Sequence, residues 1–177
     1  YTVFQSGGST GIPKTTLFTN EELELLTPAN GRGFHAVGLE AGDRVGNLWA
    51  SGSLYMTFIH MNRFLQQSGC QNFAFGNNTA PDFIHTITKL FEINVFSGIA
   101  SLVLGALRNL KPLGLDGIRV RKVYFGAEHI YEADLREFRE VFGVETIKAP
   151  GYGTVDSWYI GYQCDDTPLG VFHAHDD

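Results

Sequence analysis

The sequence has few cysteines, few basic residues and no long hydrophobic run, and each shortage excludes a class of protein. Its two cysteines, Cys70 and Cys164, suggest neither a disulfide framework nor a CxxC metal clip, which favours a reducing, cytoplasmic location. Thirteen Lys and Arg against nineteen Asp and Glu give a net charge of −6, which argues against a nucleic-acid partner. No apolar run could span a bilayer, so we expect no membrane partner.

The sequence also lacks an initiating methionine and a signal peptide. Residues 1–4 are typical of the middle of a strand, so we expect the sequence to have been cut from something longer at both ends. Its 177 residues suffice for one domain with a sizeable core. We therefore expect residues 1–177 to form a single α/β domain segment.

Short apolar or β-branched runs alternate along the chain with helical patterns. This alternation predicts βαβ units, and hence an α/β fold with a parallel sheet flanked by helices on both faces. The predicted strands are 45–49, 72–75, 93–96, 120–125 and 144–147, and the predicted helices are 53–67, 81–91, 100–110 and 133–142. Asn78 and Thr79 are candidate caps of the second helix, with Pro81 in its first turn.

Three loops follow predicted strands, at residues 6–14, 126–129 and 151–156. Parallel sheets bind ligands in the loops beyond the carboxyl ends of their strands. We therefore expect these three loops to meet at one edge of the sheet and to form one site.

The first loop, Ser6-Gly7-Gly8-Ser9-Thr10-Gly11-Ile12-Pro13-Lys14, carries the strongest chemical signal. Its glycines let backbone N–H groups turn inward, its hydroxyls add donors, and its lysine adds a positive charge, which together suit phosphate oxygens. It is not a Walker A loop, because Ile12 and Pro13 separate Gly11 from Lys14 and a strand pattern follows. We therefore predict a hairpin-like flap over phosphates. A flexible Gly/Ser surface turn is the alternative.

This loop resembles the phosphate loop of the adenylate-forming superfamily, whose pattern it fits throughout. Residues 125–128 resemble that family's loop against adenine, and residues 151–156 resemble its Tyr-Gly-x-Thr-Glu motif. Residues 170–176 resemble the segment after that motif in the phenylacetate-CoA ligase branch. Within that branch, residues 6–9 and the loosened third motif are similar to atypical members from phenazine-antibiotic biosynthesis.

The resemblance implies the Rossmann-like part of the large N-terminal domain of an enzyme that activates a carboxylic acid as its acyl-adenylate. ATP and Mg²⁺ would be the cofactors, and coenzyme A or another thiol the acceptor, with a homodimer left open. The small C-terminal domain, with its catalytic lysine, would lie beyond residue 177, so the isolated segment should not complete the reaction.

The same resemblance assigns roles to individual residues. Lys14 and Asp156 would be catalytic, with Asp156 also binding Mg²⁺, and Tyr152 would stack on adenine. The other nucleotide-binding residues would be Ser6, Gly7, Ser9, Thr10, Gly11, Gly126, Ala127, Glu128, Gly153 and Thr154.

The third motif departs from the family pattern at two positions. Asp156 replaces a glutamate, which shortens the side chain by one methylene, and Val155 replaces a residue whose hydroxyl contacts the α-phosphate. Losing one hydrogen bond to a charged group costs about 1.5–3 kcal/mol. A degenerate nucleotide- or acyl-binding module without efficient adenylation is therefore the alternative function. A Rossmann dinucleotide domain is disfavoured, because no Gly-x-Gly-x-x-Gly follows a strand.

The resembling region that contains Tyr55, Phe58 and His60 lines the acyl pocket in the family. Such a wall would suit an aromatic acid better than a long acyl chain. A hydrogen-bonded core position is the alternative for His60. Near the end of the chain, His173, His175, Asp176 and Asp177 raise the question of a zinc site, although an ordinary polar strand end explains them more simply.

Overall fold

A computed structural model describes residues 1–8 and 11–174. Within this range, it describes the backbone but not the side chains of residues 27–30. Its central feature is a five-stranded parallel sheet with the order β4-β3-β5-β6-β7. The bounds of these strands are β3 Arg44–Asn47, β4 Gln71–Ala74, β5 Val95–Ile99, β6 Lys122–Gly126 and β7 Thr146–Lys148. The strand order reverses between β3 and β5, which is where such sheets bind ligands.

Helices cover both faces of this sheet. Their bounds are α1 Asn20–Ala36, α2 Thr57–Gln67, α3 Pro81–Leu90, α4 Ala100–Leu110 and α5 Glu132–Arg136, which a π-helical turn extends over Glu137–Val141. Successive strand residues point to opposite faces, so Val95 packs into the core under α1 and α2, whereas Phe96 packs under α3, α4 and α5. The predicted fold class is confirmed.

Two smaller antiparallel sheets flank the parallel one. The first pairs β1 Thr2–Gln5 with β2 Thr15–Phe18, and the second has the order β10-β9-β8. The strands of the second sheet are β8 Tyr152–Thr154, β9 Trp158–Tyr162 and β10 His173–Ala174. A short 3-10 turn, Lys111–Leu113, follows α4.

The structure corrects several predicted elements. The helix predicted from residue 53 begins at Thr57, because Ser53 and Leu54 have positive φ angles of 49° and 59°, outside the helical region. The N-cap of α3 is Ala80 and no side chain caps it, since the Thr79 hydroxyl bonds the Phe75 carbonyl instead. The loop at residues 6–14 connects β1 to β2 and does not follow a strand of the parallel sheet.

Helix α1 was not predicted at all. It opens with a capping box, in which the Thr19 hydroxyl accepts from the Glu22 amide at 3.1 Å and the Glu22 carboxylate accepts from the Thr19 amide at 2.7 Å. Within the described parts of the chain, no helix combines the length and the apolar character that crossing a membrane requires.

Candidate functional site

Two hydrogen bonds between Ser6 and Lys14 close the base of the glycine-rich loop, where the chain leaves β1 and enters β2. The Ser6 amide donates to the Lys14 carbonyl at 2.9 Å, and the Lys14 amide donates to the Ser6 hydroxyl oxygen at 2.9 Å. Because β1 and β2 are antiparallel, these bonds continue the hairpin and project the loop beyond it. Ser6 therefore stabilises the base of the loop. The side chain of Lys14 is 74% exposed.

Glycine is required inside this loop at Gly8. Its φ of +65° favours glycine, and a Cβ atom there would lie 2.7 Å from the Pro13 ring. The Gly11 amide donates to the Gly8 carbonyl at 3.2 Å. Gly7 faces the Tyr55 hydroxyl, 4.0 Å from the position of a Cβ. Ser9 and Thr10, predicted to bind phosphate, lie outside the described residues.

The third motif forms the hairpin between β8 and β9. Gly153 lies so close to the opposite strand that a Cβ would meet the Trp158 carbonyl oxygen at 2.1 Å. At the turn, the Thr154 hydroxyl bonds the Asp156 carboxylate at 2.7 Å and accepts from the Ser157 amide at 3.1 Å. The hydrogen bond from Thr154, its own backbone amide and the charge of Lys14 hold the pKa of Asp156 below its usual range. Asp156 is therefore an anion at neutral pH.

An ion pair joins the first loop to the third motif. The Lys14 ammonium lies 3.8 Å from the Asp156 carboxylate, whose side chain is 50% exposed. An exposed pair of this kind adds little to stability, so separating the two charges around a ligand would cost little. The two residues predicted to be catalytic thus lie side by side, although most of the chain separates them in sequence.

The environment of Asp156 fits a magnesium ion carried by a nucleotide. Mg²⁺ is commonly held by one or two carboxylates together with substrate phosphates and water, and Asp156 offers one exposed, ionised carboxylate beside a lysine. Among the residues that the structure describes, no group of three metal-binding side chains exists. A metal at Asp156 would therefore depend on phosphate oxygens for its other ligands.

The second loop is anchored at the start of α4. Glu128 bonds both the amide and the hydroxyl of Ser101, which places its carboxylate at a helix N-terminus. Ala127 has a φ of +66°, and a Cβ on Gly126 would lie 3.0 Å from the Trp49 ring. Gly126 thus sits at the carboxyl end of β6 beside the residues that follow β3.

The three residues predicted for the substrate pocket are separated in the structure. Tyr55 lies beside Gly7, and the Phe58 ring lies 3.6 Å from the Cβ position of Gly76. Gly76 lines a cleft of about 180 Å³ between α3 and α4. His60 does not reach this cleft. It is buried in the core under α1 and α2.

The core position of His60 differs from the hydrogen-bonded alternative. The ring packs at 4.3 Å from the Trp158 ring and 5.2 Å from the Phe4 ring, and neither ring nitrogen has a hydrogen-bond partner. Burial, and then the positive charge of Arg63, lower the pKa of His60 to about 4. His60 is therefore a neutral core residue.

Val155 and Tyr152, two residues of the third motif, have different environments. Val155 is half-buried and packs against the same core as His60, so its side chain is directed inward. Tyr152 remains 54% exposed and packs against Phe172 with ring centroids 5.5 Å apart. An exposed aromatic face at the start of the hairpin suits stacking on a base.

Sequence reasoning missed the support that α1 gives to the third motif. Gly33 touches the chain just before the motif so closely that a Cβ would lie 2.5 Å from the Pro150 carbonyl oxygen. The signal was present, since Thr19 and Glu22 have capping-box spacing.

Sequence reasoning also missed the contact between Cys164 and His173, at 3.3 Å. His175, Asp176 and Asp177, named with His173 for zinc, lie outside the described residues.

The likeness to known proteins is one of structure. No protein-family model matches the sequence, and a search of the curated proteins finds no match. Among solved structures, a 2-hydroxyisobutyryl-CoA ligase in complex with 2-HIB-AMP and CoA superposes with a TM-score of 0.71 at 17% identity, over 84% of this chain. The fold is shared.

Two further structures show the same likeness. CmiS6 matches 96% of this chain with a TM-score of 0.63 at 20% identity, and the adenylation domain of a carboxylate reductase from Mycobacterium chelonae matches 84% with a TM-score of 0.54 at 18% identity. The chain spans 32% of the ligase, 39% of CmiS6 and 24% of the adenylation domain. At such identities the likeness establishes the fold alone.

Proposed function

We propose that this chain is the nucleotide-binding part of an enzyme that uses ATP to activate a carboxylic acid as its acyl-adenylate. The observation that carries the proposal is the contact of Lys14 with Asp156 at 3.8 Å. It unites the glycine-rich loop and the Tyr-Gly-Thr-Val-Asp hairpin in one exposed site. Two structures that share the fold support it, one by its bound 2-HIB-AMP and the other as an adenylation domain.

The chemistry expected at this site is charge neutralisation and positioning. A substrate carboxylate would attack the α-phosphate of ATP and expel pyrophosphate, so negative charge must be balanced on the phosphates. Lys14 would contact the leaving phosphates with the loop amides and hydroxyls, and Asp156 would hold Mg²⁺. Tyr152 would stack on adenine, with Gly126, Ala127 and Glu128 along its border.

The substrate acid would be aromatic, and the acceptor of its acyl group would be a thiol. Tyr55 lies beside Gly7 of the loop, and Phe58 contacts Gly76, which lines the cleft. These two aromatic side chains favour an aromatic acid. The acceptor would be coenzyme A or a carrier thiol, as in the phenylacetate-CoA ligase branch, with antibiotic biosynthesis as one setting. The bound CoA of the 2-hydroxyisobutyryl-CoA ligase supports the first acceptor.

A second candidate function is a nucleotide- or acyl-binding module that adenylates poorly. Val155 is directed into the core, and the neighbouring Thr154 hydroxyl already bonds Asp156 and Ser157. No hydroxyl of this hairpin segment is left at the position where the family pattern has one. This observation bears on the rate of the chemical step rather than on nucleotide binding.

ATP–pyrophosphate exchange by the full-length protein separates these functions. We expect exchange that depends on an added acid and is faster with aromatic than with aliphatic acids. The absence of exchange with every acid, alongside measurable ATP binding, would overturn the enzyme in favour of the binding module. Exchange that is faster with aliphatic acids would overturn the aromatic preference alone.

A further inference from the structure

Cys164 lies in a tightly held turn after β9, away from the proposed nucleotide site. The Cys164 amide donates to the Thr167 hydroxyl at 3.0 Å, and that hydroxyl donates to the Cys164 carbonyl at 2.9 Å. The Lys148 ammonium donates to the carbonyls of Cys164, Asp165 and Thr167 at 3.0–3.2 Å. These bonds fix the backbone that carries the thiol.

A histidine is held against this thiol by the neighbouring strand. Cys164 Sγ lies 3.3 Å from His173 Nε2. His173 is placed by its pairing with Tyr162 across β9 and β10, and its ring packs on the Tyr162 ring with centroids 5.2 Å apart. Since His173 is exposed and Cys164 is half-buried, the pair is open to solvent.

The second cysteine provides an internal contrast. Cys70 Sγ donates to the Leu65 carbonyl at 3.2 Å, a contact that favours the protonated thiol. Burial raises the pKa of Cys70 to about 11. The chain therefore holds one thiol beside a base and one that stays protonated at neutral pH.

We propose that Cys164, paired with His173, is a reactive thiol that undergoes exchange with low-molecular-weight disulfides. In this step the Cys164 thiolate attacks one sulfur of the disulfide, a new S–S bond forms to Cys164, and the other sulfur leaves as a thiolate. The thiol proton is passed to His173 or to solvent. One disulfide is consumed and one is formed, so no further oxidant is needed.

Hydrogen bonds and nearby charges determine how readily the Cys164 thiol loses its proton. The hydrogen bond from His173 lowers the pKa of Cys164, burial opposes this shift, and bonds from the backbone amides of Asp166 and Thr167 lower the pKa further. Lys148 adds a positive charge nearby, while the carboxylates of Asp165 and Asp166 follow in the turn. A thiolate paired with an imidazolium is the reactive form of cysteine at neutral pH.

The test is site-resolved labelling of the full-length protein with glutathione disulfide and with iodoacetamide, followed by peptide mass spectrometry. At pH 7 we expect Cys164 to react with iodoacetamide at least about tenfold faster than Cys70 and about threefold faster than free glutathione. In denaturant the two cysteines should react at similar rates, which controls for detection. Cys70→Ser should leave the rate at Cys164 unchanged.

The role of His173 is tested by His173→Asn and by the pH profile. We expect the substitution to slow labelling of Cys164 and to move the midpoint of its rate against pH upward. The wild-type midpoint should lie below the ordinary thiol range, a result that needs no variant to fold. A rate at Cys164 no faster than that of glutathione, or a midpoint in the ordinary range, would overturn the proposal.

Discussion

At the scale of single residues, we propose that Val155 and Asp156 limit the chemistry of the candidate site. Val155→Thr with Asp156→Glu introduces the hydroxyl and the longer carboxylate of the family pattern. If these positions limit catalysis, acid-dependent exchange should rise roughly tenfold to a few hundredfold, because one charge-directed hydrogen bond is gained. Steady-state exchange measures the change, with Val141→Thr, at an exposed valine, as the control. Unchanged turnover would show that neither position weakens the site.

His60 predicts a specific dependence of stability on pH. Its pKa of about 4 in the folded protein lies below that of an exposed histidine, about 6.5. Between these values the unfolded chain binds a proton that the folded chain does not. His60 therefore lowers the free energy of unfolding as the pH falls through this window, by at most about 1.4 kcal/mol per pH unit.

The variant His60→Phe should remove this dependence. It replaces two unpartnered ring nitrogens with carbon, so we expect it to stabilise the protein by about 1 kcal/mol at pH 7. The gap to wild type should widen as the pH falls from 6.5 towards 4. Chemical denaturation at several pH values measures both. A gap that stays constant with pH would contradict the burial of a neutral His60.

At the scale of elements, two helical glycines predict substitutions of opposite sign. Gly33 packs α1 against the Pro150 carbonyl, where a Cβ would lie at 2.5 Å, so Gly33→Ala should destabilise the fold by about 1–3 kcal/mol. Gly105 in α4 has nothing within 4 Å of its Cβ position, so Gly105→Ala should stabilise by about 0.5–1 kcal/mol. Denaturant unfolding compares them, and equal effects would contradict the close approach at Gly33.

The same substitution links α1 to the candidate site. Because Pro150 directly precedes the Gly151–Asp156 hairpin, displacing α1 should also weaken ATP binding in Gly33→Ala but not in Gly105→Ala. Binding is measured under conditions in which both variants remain folded. Undiminished ATP affinity in Gly33→Ala would show that α1 supports stability without positioning the hairpin.

Elements with a strong hydrophobic period were predictable from the sequence, and elements set by other forces were not. The five parallel strands lie within two or three residues of their predicted positions, because buried apolar runs define them. Helix α1 contains Pro28, Gly31 and Gly33, which obscure its period. The strands β8 and β10 have two or three residues each, too few to show an alternation.

At the scale of the whole molecule, the sequence predicted that three loops meet at one edge of the parallel sheet, whereas Lys14 and Asp156 meet through the hairpins β1–β2 and β8–β9. The contact of Lys14 with Asp156 depends on the placement of two small antiparallel sheets against the parallel one, which no local pattern determines. The structure also directs Val155 and His60 into the core, whereas sequence alone left His60 between core and pocket. That the side chains of Ser9 and Thr10 bind phosphate stays a prediction.

The most direct test of the account is calorimetric titration of the full-length protein with ATP and Mg²⁺, comparing wild type with Lys14→Ala. We predict saturable binding by wild type and a loss of affinity of roughly tenfold to a few hundredfold in the variant, since a charge-directed contact to phosphate is removed. Lys89→Ala, at an exposed lysine on α3, should bind like wild type. Absence of ATP binding by wild type, or equal affinity in Lys14→Ala, would contradict a nucleotide site at Lys14 and Asp156.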